Sequence, residues 1–159
     1  WWSRQGTAIL VFLDNRHVVW RWDPGDPVLL QQNRAHVWAV RSVDGGKTWK
    51  RTLFASDSAG AIDLVIDPSN PKICYANLWQ FQRTPYSLSS GGNYSALYKS
   101  IDGGETWINL KKKKGLPKGI WGISTISICQ SKPDRLYAMI EMIMVDYFAL
   151  MILAKHGNV

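Results

Sequence analysis

Between residues 60 and 66, Ile62, Leu64 and Ile66 alternate with Ala61, Asp63 and Val65, the period-2 pattern of a half-buried β-strand. A Pro68-Ser69-Asn70-Pro71 turn then leads into a second apolar run over 73–79. Further strands are expected over 96–100 and 106–110 around the turn Asp102-Gly103-Gly104, with a matching hairpin over 37–42 and 48–54 one copy earlier. Segments 8–13 and 17–22 also read as strands, followed by a turn at Asp23-Pro24-Gly25-Asp26-Pro27. The tail has a different period. Ile143, Tyr147, Leu150, Met151 and Ala154 recur at helical spacing among good helix formers, which predicts a short C-terminal helix within 142–155.

The chain repeats itself. Residues 41–49 read RSVDGGKTW and residues 99–107 read KSIDGGETW, so S-x-D-G-G-x-T-W, here termed the box, recurs at an offset of 58. Residues 60–76 align with 122–138 at an offset of 62, pairing Gly60 with Gly122, Leu64 with Ile126, Pro71 with Pro133 and Tyr75 with Tyr137. The offset grows by four because the second copy has a longer linker, and insertions of that kind belong in loops. Each copy reads as four strands, and four-stranded units stacked side by side are the blades of a β-propeller. A polar, Gly- and Ser-rich stretch over 80–93 lengthens the unit between its second and third strands.

Composition sharpens this picture. Nine Trp among 159 residues and 46% hydrophobic residues favour β-structure that buries wide rings, and exclude a disordered tail. The longest apolar stretch, 142–154, is broken by Asp146 and is too short for a membrane span, so no transmembrane segment is expected. Cys74 and Cys129 are expected to be buried free thiols, and His17, His36 and His156 have no metal-ligand spacing, so neither a metal nor a cofactor is implied. Of the +7 net charge, four lysines fall in one run at 111–114, expected to be a solvated loop. That charge is not interleaved with aromatic residues, which argues against a nucleic-acid partner. The sequence opens Trp1-Trp2-Ser3-Arg4 without an initiator Met, the expectation being a processed chain or one cut from a longer protein.

The box has a local physical logic. Its glycines permit positive φ, its Asp accepts hydrogen bonds from turn amides, its Ser and Thr hydroxyls complete the network, and its Trp covers the turn. Ser42, Asp44, Gly46, Thr48 and Trp49, with Ser100, Asp102, Gly104, Thr106 and Trp107, are therefore expected to staple the fold rather than react. A glycosidase needs two opposed carboxylates, and a sialidase an arginine cluster as well. Neither is visible. Asp63 is the single candidate for a catalytic carboxylate, but its repeat mate is Thr125, and Asp67 before Pro68 reads as a turn residue. The candidate binding surface is aromatic: Trp79, Phe81, Arg83, Tyr86 and Tyr94 surround Ser89-Ser90-Gly91-Gly92, a mixture suited to stacking on sugar or gripping a peptide.

The two boxes resemble the Asp-box, or BNR repeat, of sialidases, xyloglucanase-type hydrolases, a photosystem assembly factor and sortilin-type receptors. The residues around them, 60–71, Leu78-Trp79-Gln80, Arg83-Thr84-Pro85, Ser90-Gly91-Gly92 and Gly115-Leu116-Pro117, are similar to bacterial sortilin-like proteins often labelled glycosyl hydrolases. The resemblance spans about residues 37–141. It implies an all-β partial propeller of two to three four-stranded antiparallel blades, with an incomplete or degenerate blade over 1–36 and an apolar tail over 142–159. It further implies a non-catalytic scaffold or binding module for a protein, peptide or carbohydrate ligand, exported from the cytoplasm, whose remaining blades belong to a parent propeller. The alternative is part of a glycoside hydrolase, in which Asp63 sits where xyloglucanase-type enzymes hold a carboxylate near the propeller axis. Closed propellers use about 4 to 8 blades, so fewer than three leave the ring open and the isolated chain prone to self-association.

Overall fold

The computed structural model describes residues 8–14, 36–44, 47–83, 86–142 and 147–154. Its regular structure is all-β: β1 (Ala8–Asp14), β2 (His36–Ser42), β3 (Lys50–Leu53), β4 (Ala59–Ile66), β5 (Cys74–Arg83), β6 (Leu88–Ser90), β7 (Ala96–Ser100), β8 (Ile108–Asn109), β9 (Trp121–Ile128), β10 (Arg135–Met142) and β11 (Tyr147–Ala154). Three antiparallel sheets result, in the orders β1-β2-β3, β4-β5-β7-β8 with β6 added to β5, and β11-β10-β9. None closes on itself. The strand expected over 17–22, the turn at 23–27 and the box glycines Gly45 and Gly46 lie outside the described residues.

The C-terminal helix expected from residue spacing is absent: Tyr147–Ala154 is a strand, paired with β10 from Met142↔Tyr147 to Arg135↔Ala154. Local propensity differs between helix and strand by tenths of a kcal/mol per residue, whereas β10 without β11 would expose a row of unpaired amides and carbonyls. The ladder wins. Two other differences are smaller. The returning strands of the box hairpins are shorter than expected, because the box itself occupies Thr48 and Trp49, and Thr106 and Trp107, before pairing begins. The expected linker over 80–93 is partly strand, since β5 runs on to Arg83 and folds back as β6.

The repeats survive as pairing registers. Leu64↔Ala76 in the middle sheet corresponds to Ile126↔Ala138 in the third at an offset of 62. Val40↔Arg51 corresponds in the same way to Tyr98↔Asn109 at an offset of 58. By this correspondence β1 stands beside its box hairpin as β5 does beside β7, and β11 stands where a third strand belongs.

The middle sheet is covered on both faces. Tyr75 and Leu97 point into one cluster with Trp121, Ile126, Leu136, Ala138 and Ile140 of the third sheet. Their neighbours Ala76 and Leu78 point into the other, with Leu53 and Ala61, against which Tyr98 and Trp107 pack. Trp121 has no exposed surface, and a ring of roughly 200 Å² at about 25 cal/mol per Å² makes it a leading contributor to the core. The third sheet alternates buried and exposed positions, and its far face carries Ile123 and Met139 at 43% and 44% exposure. At Ile123 and Met139 that face is open to solvent among the described residues. We expect concentration-dependent association in light scattering, reduced by Met139→Lys; a monodisperse monomer at all concentrations would count against an open face.

Candidate functional site

The strongest local structures are the two boxes. In the first, Asp44 accepts hydrogen bonds from Ser42 Oγ at 2.8 Å, the Thr48 amide at 2.9 Å and Thr48 Oγ1 at 2.5 Å. In the second, Asp102 accepts from Ser100 Oγ at 2.7 Å, the Glu105 amide at 3.0 Å, and the amide and hydroxyl of Thr106. Gly103 and Gly104 turn the chain at φ 74° and 84°, a region costly for side chains with a Cβ, and the Gly104 amide donates to Ser100 Oγ at 2.8 Å. Donors aimed at a carboxylate stabilise its charge. Those from Thr48 and Ser42 hold the Asp44 carboxyl at about 2. Burial alone would raise Asp102, yet the bonds from Thr106, Ser100 and Glu105 outweigh it and hold that carboxyl well below its usual range.

The second box also ties sheets together. Trp107 packs against the Leu53, Ala61, Ala76 and Leu78 cluster, and its Nε1 donates to Thr52 Oγ1 of β3 at 3.3 Å. The Gly103 amide donates to the Lys72 carbonyl at 2.8 Å, docking the box on the turn between β4 and β5. Glu105 faces Arg41 at 3.8 Å, a partly exposed pair of small energetic weight. Trp49 of the first box is 38% exposed.

Asp63 lies on β4, and its Oδ2 accepts from Thr125 Oγ1 and from the Ile126 amide, both at 2.8 Å. Its repeat mate is thus its hydrogen-bond partner, and the carboxylate caps an amide on the edge strand of the third sheet. Beside it, Asn77 Nδ2 donates to Ser124 O at 2.6 Å and Ser124 Oγ at 2.9 Å, both residues being buried. Asp67 is buried too and accepts from the Ser69 amide, the Ser69 hydroxyl and the Asn70 amide, as a turn residue should. Among the described residues no group of His, Cys, Asp and Glu is arranged to hold a metal ion. Cys74 is buried, and burial pushes its thiol up to about 11; Cys129 is only partly buried, contrary to expectation, with its thiol 3.4 Å from Ser131 Oγ.

The aromatic residues sit on a ribbon. Beyond Leu78, β5 leaves its sheet partner β7 and pairs with β6, Phe81↔Ser90 through Arg83↔Leu88. Trp79 and Phe81, two residues apart on one face, stack with centroids 4.3 Å apart and planes at 18°. Trp79 Nε1 donates to Ser90 Oγ at 3.1 Å, which donates to Glu141 Oε2 at 2.9 Å, and the same oxygen accepts from the Ile123 amide at 2.7 Å. Tyr86 at 93%, Leu88 at 57% and Tyr94 at 47% exposure present apolar surface around the tip and its exit. Gln80 anchors that exit, accepting from the Gly91 amide at its carbonyl and from the Tyr94 amide at its side chain. A Cβ at Gly92 would lie 2.0 Å from Gln80 Oε1, so a larger residue there would displace the Gln80 amide that accepts from Tyr94. No family model matches the chain, and no curated protein matches it significantly.

Ser90, Gln80 and Glu141 escaped the sequence reading as positioning residues, because Glu141 lies 51 residues from Ser90 and no motif links them. Two outcomes follow for the boxes. Asp102→Ala strands donors on exposed residues that water partly satisfies, so unfolding in denaturant should show a loss on the order of 1–2 kcal/mol. The folded Asp44 carboxyl binds its proton less tightly than the unfolded one, so its stabilisation is complete above the ordinary value of 3.8 and disappears as pH falls towards 2. Asp44→Asn should flatten that acid limb in a pH series of denaturant melts.

Proposed function

We propose that the chain is a non-catalytic binding scaffold, its three sheets being successive blades of an incomplete Asp-box propeller akin to bacterial sortilin-like proteins. Matching registers in successive units support the blade reading, as does the adjacency of β4 and β9, the first strands of their units, through Asp63 and Thr125. The observation that carries the absence of catalysis is the occupancy of Asp63. A glycosidase acid or nucleophile needs an open carboxylate facing a second one across the sugar. Asp63 instead gives one oxygen to a neighbouring hydroxyl and amide and so joins two sheets.

The ribbon is the binding surface of this reading. Exposed Tyr86, Leu88 and Tyr94 beside the Trp79–Phe81 stack offer the rigid, amphipathic area that sugar rings and peptide side chains bind. A carbohydrate, peptide or protein ligand fits it, and export from the cytoplasm accompanies the family resemblance. A glycan and peptide array should yield a ligand whose binding weakens roughly tenfold in Tyr86→Ala with folding intact. The same chain should not hydrolyse sialyl, xyloglucan or cellulosic substrates, and Asp63→Asn should lower the melting temperature only. Hydrolysis abolished by Asp63→Asn would favour the glycoside hydrolase reading instead.

A further inference from the structure

The connection from β8 to β9 carries the densest charge of the chain. Lys111, Lys112, Lys113, Lys114 and Lys118 fall within eight residues that contain no acidic residue. A lysine run of this kind is ordinarily a loose hydrated loop, but here the loop is held at several points. Leu110 and Leu116 are buried in the cluster around Trp121. The Lys113 amide donates to the Leu110 carbonyl at 2.8 Å and the Leu116 amide to that of Lys113 at 3.3 Å, while Trp121 Nε1 donates to the Pro117 carbonyl at 3.0 Å. Gly115 and Gly119, at φ 94° and 115°, make the remaining reversals.

The loop so held walls a cleft of about 780 Å³ lined by all five lysines and Asn93, with no carboxylate in its lining. Lys111 forms part of the wall itself: its ammonium donates to the carbonyls of Gly92 and Asn93 at 3.3 and 3.4 Å and lies 5.5 Å from the Trp121 ring centre. Lys112, Lys113, Lys114 and Lys118 have no carboxylate partner among the described residues.

We propose that this cleft binds an acidic oligosaccharide, its sulfate or carboxylate groups held by Lys112, Lys113, Lys114 and Lys118. Four point charges on flexible stems suit anions repeated along a chain, and a cleft of this size holds a few sugar residues. Because the loop backbone is ordered beforehand, binding has only side chains left to immobilise. No aromatic side chain lines the cleft, so the stacking platform that single-stranded nucleic acid requires is missing. Asn93 of the cleft's lining is followed directly by Tyr94 of the aromatic surface. The lysine site nevertheless stands on its own residues and is testable with the ribbon altered.

The test is calorimetric titration of the full chain with four probes: a heparin-derived hexasaccharide, a hexagalacturonate, neutral cellohexaose and a single-stranded oligonucleotide of equal charge. At least one acidic hexasaccharide should bind, with an affinity that falls steeply with salt, and the tighter of the two names the anionic group. Replacing Lys112, Lys113, Lys114 and Lys118 together by Gln should weaken binding by about tenfold or more, and replacing them by Arg should restore it. Lys112→Gln alone, on an exposed side chain, should give a smaller loss in the same direction, and Tyr86→Ala should leave cleft binding measurable. The proposal is overturned if neither acidic hexasaccharide binds, if cellohexaose binds as tightly, if the oligonucleotide binds more tightly than both, or if the folded Gln variant binds like the parent.

Discussion

A sheet with apolar side chains on both faces cannot stand alone, and that constraint organises this protein. Along β5, Tyr75 and its neighbour Ala76 enter different clusters because successive strand side chains point to opposite faces. The middle sheet must therefore be covered on one side by β9 and β10 and on the other by β2 and β3. Burial is non-directional, however, and by itself it does not say how one sheet is set against the next. Polar groups supply that direction: Asp63 and Asn77 reach across to Thr125, Ile126 and Ser124, and Trp107 reaches the other way to Thr52. A buried amide such as Asn77 would be costly unless met by its partner, so these bonds admit few alternative arrangements.

This arrangement also decides what the carboxylates can do. Asp44 and Asp102 are surrounded by donors from their own turns, Asp67 by its own turn, and Asp63 and Glu141 by hydroxyls and amides that hold strands in place. At Asp44 and Asp102 the donors favour the ionised form, and at Asp63, Asp67 and Glu141 the bonds hold strands and a turn in place. Outward-facing groups include the aromatic residues of the ribbon and the lysines of the β8–β9 loop. Both emerge from rigid anchors: the ribbon from Gln80 and the Ser90–Glu141 bond, the loop from Leu110, Leu116 and Trp121.

What the sequence determined by itself was local. The box could be read because Ser, Asp, Gly and Thr bond to one another within four residues, so the network is written in consecutive letters. Strand β4 could be read because alternation at period 2 is imposed by the pleat, β9 through its alignment with β4, and β2 and β7 as arms of the box hairpins; the two offsets, 58 and 62, reappear as equal registers. Tertiary structure decided the rest. The tail spacing favoured a helix, but the open edge of β10 required a strand, and ladder bonds outweigh propensity. Nothing adjacent in sequence reveals that Asp63 meets its own repeat mate, that Glu141 supports Ser90 across 51 residues, or that the solvated lysine loop also walls a cleft. Those contacts exist because separate sheets are pressed together by apolar burial, and only that packing brings distant polar groups within bonding distance.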